Sequence, residues 1–166
     1  MKQHMLRNAA LLLTGIILLS ACTDDPASVP QTGSVTGTIT FSGTWPDAGD
    51  VQVSIYSVLS PPWIPMGPPD QANDSITGNP DTDEFTFSGL EFGDYTAIYV
   101  SLRDPSNPAA TQLLGMYWAH PDSVGISPFT GLPLTQPTAV TIDKDYPHLT
   151  GIDLLVDFDL FDLSNR

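Results

Sequence analysis

The side chains with chemistry to offer in this chain are one cysteine, three histidines, 19 carboxylates and three tryptophans. Cys22 follows Leu19-Ser20-Ala21 at the end of an apolar run from Ala9 to Leu19, behind the basic Lys2 and Arg7. A basic start, an apolar centre and small residues before a cut site make a secretory signal, with cleavage leaving Cys22 first. His4 falls inside that signal. His120 and His148 stand far apart in loops with no cysteine partner, so they do not make a zinc site and are read as surface residues. Asp81, Asp83 and Glu84 can offer oxygens to calcium, an ion that takes roughly six to eight of them. Their spacing does not complete a D-x-[DN]-x-[DN]-G loop, so an acidic turn is the reading and no metal or cofactor is predicted.

Nucleophilic and phosphate chemistry lack their signatures. There is no G-x-S-x-G elbow, no triad context around the serines near His120 or His148, and no glycine-rich phosphate cradle. Paired carboxylates for glycoside hydrolysis need a separation that only a fold supplies. The tryptophans are the better candidates. Trp45 sits beside Pro46, Trp63 lies inside Pro61-Pro62-Trp63-Ile64-Pro65, and Trp118 follows Tyr117. Covering an open end of the domain is the first reading for all three. A flat indole on a rigid loop also suits a sugar ring or a partner protein, which makes Trp45 and Trp63 the candidate ligand-binding residues.

With its cysteine directly after the cut, Leu19-Ser20-Ala21-Cys22 resembles the lipobox of bacterial lipoproteins. That resemblance implies a diacylglycerol thioether on Cys22, cleavage before it and acylation of the new amine. Ordinary secretory cleavage is the alternative, and mass spectrometry of the mature amino terminus separates the two. The apolar run is short against the roughly 20 residues that a spanning helix needs. One acyl chain holds weakly at about 0.8 kcal/mol per buried methylene, whereas two or three hold firmly. Thr23 stands where an inner-membrane retention signal of such lipoproteins has aspartate, and Asp24-Asp25 resemble a surface-export signal. The expected place is therefore the cell envelope, at the outer membrane and on its outer face.

Charge narrows the partners. All 19 acidic residues follow residue 21, where only Arg103, Lys144 and Arg166 are basic. Such a surface repels nucleic acid, which is excluded as a partner. The expected partners are the membrane, through the lipid, and an envelope protein or glycan. With Cys22 lipidated no disulfide is left, so burial and strand pairing must hold the domain together.

The elements that must position these residues are strands. Residues 22–32 read as a lipidated tether, 33–163 as one domain of ordinary size and 164–166 as a tail. Val35, Gly37, Ile39 and Phe41 alternate with threonines, and Val51, Val53 and Ile55 alternate with Gln52, Ser54 and Tyr56, each a period-two strand. Residues 60–83 form a proline-rich loop without its own periodicity, and 119–137 form a second. Between and after them, strands are predicted at 85–88, 95–102, 112–118 and 139–142. A last strand runs from Ile152 to Phe161, with one apolar face and one mostly acidic face. Sixteen prolines argue against long helices. The fold expected is all-β, a single seven-stranded antiparallel β-sandwich with two long Pro-rich loops.

Two segments then resemble a known family. Residues 34–57, SVTGTITFSGTWPDAGDVQVSIYS, are similar to the first two strands of carboxypeptidase regulatory-like domains, which have a transthyretin-like sandwich. Asp81-Thr82-Asp83-Glu84-Phe85-Thr86-Phe87-Ser88-Gly89-Leu90, then Gly93-Asp94-Tyr95-Thr96, resembles the family's T-D-x-x-G-x-F-x-F-x-x-L-x-x-G-x-Y segment. Glu84 replaces the usual glycine, and the match fades after Leu102. The resemblance implies phenylalanines facing the core, a glycine turn and a tyrosine packed at the start of the next strand. The functional expectation is a lipid-anchored, non-catalytic envelope protein serving binding, adhesion or scaffolding. A carbohydrate-binding lipoprotein using loop aromatics is the second reading, and a small hydrolase the third.

Overall fold

The computed structural model describes residues 31–161. The signal and Leu19-Ser20-Ala21-Cys22, most of the tether and the tail lie outside the described residues. Ten strands follow in order: β1 (Thr32–Ser42), β2 (Asp50–Tyr56), β3 (Gln71–Ala72), β4 (Thr82–Glu91), β5 (Gly93–Tyr95), β6 (Ala97–Asp104), β7 (Asn107–Met116), β8 (Val140–Ile142), β9 (His148–Leu149) and β10 (Leu154–Asp157). A single 3₁₀ turn, Phe158–Leu160, closes the described chain.

Two sheets enclose the main core in a sandwich-like, all-β arrangement. The first has the order β10-β1-β4, with β9 also beside β1, and the second has the order β3-β2-β6-β7. A small β5–β8 pair stands apart from both. Val35, Ile39, Phe41, Phe85 and Phe87 from the first sheet meet Val51, Val53, Ile55, Ile98, Val100 and Leu114 from the second. Period-two alternation in β1, β2 and β4 thus turns their apolar residues toward one another.

The second sheet is covered on its other face as well. Ala97, Tyr99, Leu113, Met116, Val124 and Ile126 form a second core there, with Tyr56, Trp118, Leu155 and Phe161 packed against it. Strand β6 is buried without a break from Ala97 to Ser101. That explains the continuous Ala-Ile-Tyr-Val run, the pattern of a strand with protein on both sides.

Three expectations are corrected. The pairing is not wholly antiparallel: β1 runs antiparallel to β4 but parallel to β9 and β10, with Ile39 opposite Leu154 and Ser34 opposite His148. Hydrophobic alternation carries no direction. What admits the returning chain is Gly37, where a Cβ would run into the Ile152 carbonyl, and Gly33, where it would meet that of Pro147. Second, the terminal strand ends at Asp157. Asp157 Oδ1 accepts from the Asp159 backbone N–H at 3.1 Å and opens the 3₁₀ turn. Third, residues 60–83 are not unbroken loop. β3 pairs with β2, Ile76 bridges to Val51, and β4 has begun by Thr82. More strand segments are therefore present among the described residues than the seven expected.

Candidate functional site: a roofed cleft on the second sheet

Strands β2 and β6 turn alternate residues away from the main core. In β2 these are Gln52, Ser54 and Tyr56; in β6 they are Ala97, Tyr99, Ser101 and Arg103. The ladder sets Gln52 opposite Ser101 and Ser54 opposite Tyr99. The result is a floor of hydroxyls with one guanidinium, where water would ordinarily lie.

The proline-rich segment 57–70 arches over this floor. Asp70 fastens its base: both side-chain oxygens accept from Ser57, one from the backbone N–H and one, at 2.9 Å, from the hydroxyl. The Asp70 backbone N–H donates to the Ile55 carbonyl at 2.9 Å. Loop ends held together with packed interior side chains make a compact surface loop rather than a loose connection. Its middle is tied down from below, where the Tyr99 hydroxyl donates to the Trp63 carbonyl at 2.6 Å. The loop contains a cis Pro61–Pro62 bond, and Trp63 adopts φ +66°. A left-handed conformation is uncommon for a bulky residue and persists where surrounding contacts hold it. Here the Trp63 N–H donates to Ser60 O at 2.8 Å while its carbonyl takes the Tyr99 proton.

Between roof and floor lies a cleft of about 620 Å³, within the range of small-molecule sites. Ile64, Pro65, Met66 and Pro68 line it from above, and Ser54, Tyr56, Ser101 and Arg103 from below. Met66 is 92 % exposed on the roof. Arg103 Nη1 donates to Gln52 Oε1 at 2.8 Å, and Gln52 Nε2 reaches Ser75 Oγ at 3.5 Å. Burial raises the Tyr56 hydroxyl above its usual range, offset by Ser54 and by the Arg103 charge. Burial, with Tyr56 beside it, raises Tyr99 further. Both phenols stay protonated at neutral pH, and Tyr99 spends its proton on the Trp63 carbonyl.

No family model, curated protein or solved structure matches the chain.

The residues singled out from sequence fall in separate places. Trp45 packs on the end of the main core, its ring 4.8 Å from Phe41 and 4.7 Å from Phe158. It also lines a cleft of about 300 Å³ with Pro46, Asp47, Gln112, Phe158 and Asp159. Trp63 is half-buried and belongs to the roof through its backbone. Trp118 covers the second core, with Nε1 donating to the Ser123 carbonyl at 2.8 Å and its ring edge-on to His120 at 4.9 Å. His148 lies in β9, 2.9 Å from Ser34 Oγ, at an exposed position. This serine–histidine contact is absent from the sequence reading because the partners lie at opposite ends of the domain. No hydrogen bond among the described residues joins His148 to a carboxylate.

Asp83 and Glu84 are not in a turn. They sit in β4, opposite Ile39 and Thr38, and the Asp81 carbonyl accepts from Phe41 N–H at 2.8 Å. Among the described residues no group of three or more His, Cys, Asp or Glu is placed to hold a metal ion. Arg103, Tyr56, Ser54 and Ser101 were missed as site residues. The available signal was the outward phase of β6, which ends on one of the few bases of this acidic chain.

Proposed function

We propose that the protein is a lipid-anchored, non-catalytic binding module of the cell envelope, serving adhesion or scaffolding, and that the cleft beneath the 57–70 loop is its binding surface. The cleft carries the binding reading: beside the second core, the fastened 57–70 roof stands off the polar part of this sheet face and leaves room for a ligand. Leu19-Ser20-Ala21-Cys22 supports the anchor. A transthyretin-like sandwich of the carboxypeptidase regulatory-like kind is supported by the two facing sheets and by the second matched segment. Phe85 and Phe87 point into the core there, and Tyr95 is buried with its hydroxyl donating to Glu91 O at 3.0 Å.

The test is made in cells. Wild type is expected to take up an alkynyl palmitate label and sediment with membranes, and Cys22→Ala to lose both. A photo-crosslinking residue at Met66 should give discrete adducts with an envelope component, whereas one at exposed Lys144 should not. An unlabelled wild type removes the anchor; a Met66 probe without adducts removes the binding surface.

A second reading, carbohydrate binding at the Trp45 end, is favoured by one observation. Trp45 and Phe158 share their cleft with Asp47, Asp159 and Gln112, an aromatic surface beside hydrogen-bonding groups suited to a sugar ring. Tryptophan fluorescence titrated with a glycan panel checks it, and no shift with any sugar ends it.

A further inference from the structure

We infer that the roofed cleft takes a carboxylate-bearing sugar, with Arg103 as the group that receives the carboxylate; this rests on the cleft being the binding surface. Among the described residues the ion pair found is Lys144 with Asp145. Arg103 is thus a guanidinium without a carboxylate partner among the described residues, in a chain crowded with carboxylates. Asp50 stands directly opposite it in the ladder, yet Arg103 turns to the neutral Gln52 amide instead. A guanidinium has five N–H donors in a planar fork matched to a carboxylate, and Gln52 engages one nitrogen. Its charge therefore stays available to a ligand at the cleft wall.

The rest of the lining specifies the body of that ligand. Over the floor itself the backbone N–H and C=O groups of β6 are consumed by pairing with β2 and β7, so an extended peptide lying on that face finds no strand edge there. What the floor presents is hydroxyls, from Ser54, Tyr56 and Ser101, and what the roof presents is the rigid apolar surface of Ile64, Pro65 and Pro68. A pyranose offers hydroxyls on its rim and C–H groups on its face, and a uronate adds the carboxylate. A free peptide carboxylate shares the charge but not the ring.

The experiment is calorimetric titration of the full chain in detergent micelles with trigalacturonate, neutral galactotriose and trialanine. Trigalacturonate should bind at least tenfold more tightly than galactotriose, and Arg103→Gln should weaken it about tenfold to a hundredfold, the range of hydrogen bonds to charged groups. Arg103→Lys should recover part of the loss, because the charge returns without the fork. Thr111→Trp, an exposed cleft-lining position, should block binding, with its folded state checked by circular dichroism. Equal affinity of wild type and Arg103→Gln for trigalacturonate overturns the inference, as does trialanine binding through Arg103 in place of the uronide. If both sugars bind alike and Thr111→Trp abolishes both, the cleft stands as the binding surface and the acidic specificity falls. If Thr111→Trp leaves all binding untouched, the cleft reading falls too.

Discussion

Tyr99→Phe removes one oxygen from the floor of the cleft and should cost about 1 kcal/mol at neutral pH. The ring is 1 % exposed and packs edge-on to Tyr56 with centroids 6.1 Å apart, and Phe preserves both. What is lost is the 2.6 Å bond to the Trp63 carbonyl. A net hydrogen bond is worth about 0.5–1.5 kcal/mol, and the half-buried Trp63 lets water replace part of it. For a domain of this size that lowers Tm by about 3–5 °C. The pH dependence is sharper. Burial first, and Tyr56 second, raise the Tyr99 hydroxyl well above its ordinary value of 10.0. Above that value the unfolded chain loses this proton while the folded chain keeps it, so the folded state binds more protons. The stability linked to Tyr99 is complete below pH about 10 and is lost as pH rises through the folded value, at about 1.4 kcal/mol per pH unit. Phe cannot titrate. The wild-type advantage of about 1 kcal/mol should therefore vanish near pH 11, since the other raised tyrosines, Tyr56 and Tyr95, are common to both proteins. Urea unfolding of the full chain in detergent at half-unit steps from pH 8 to 11, followed by tryptophan fluorescence, measures the difference. A gap that stays constant across that range refutes the reasoning.

Gly37→Ala drives a methyl group into the Ile152 carbonyl and against the Phe85 ring, and should cost about 1–3 kcal/mol or more by overpacking. Gly67→Ala, which meets nothing within 4 Å, should change stability by less than about 0.5 kcal/mol in the same denaturation assay. Phe158→Ala empties a buried aromatic position shared with Phe41 and Trp45. It should cost about 3–5 kcal/mol, and it should red-shift the Trp45 emission as water enters. Asp143→Ala releases the backbone N–H groups of Asp145 and Tyr146, held at 2.8 and 2.7 Å. It should cost about 1 kcal/mol, with amide exchange of β9 rising first.

Much of the fold is legible from local alternation. Val35 to Phe41 and Val51 to Ile55 declare β1 and β2, because a half-buried strand needs no information beyond its own neighbours. The C-terminal stretch shows where that reasoning stops. Its alternation continues to Phe161, but Leu155, Leu160 and Phe161 serve the second core, which is visible only when loops 57–70 and 117–137 are placed over the second sheet. The cleft was illegible for the same reason. Its floor comes from strands some fifty positions apart in the chain, such as Gln52 and Ser101. Its roof is proline-rich, and proline marks a loop without saying what the loop covers.

The position of β1 between antiparallel β4 and parallel β10 has a mechanical meaning. A pull applied upstream of Thr32 would enter the central strand of its sheet. Load entering there is shared as shear over both flanking ladders, from Thr32–Thr40 against β4 and Ile39–Ser42 against β10. A terminal edge strand would instead be peeled away bond by bond. Strand β10 would thus work as a splint on β1 under any such load.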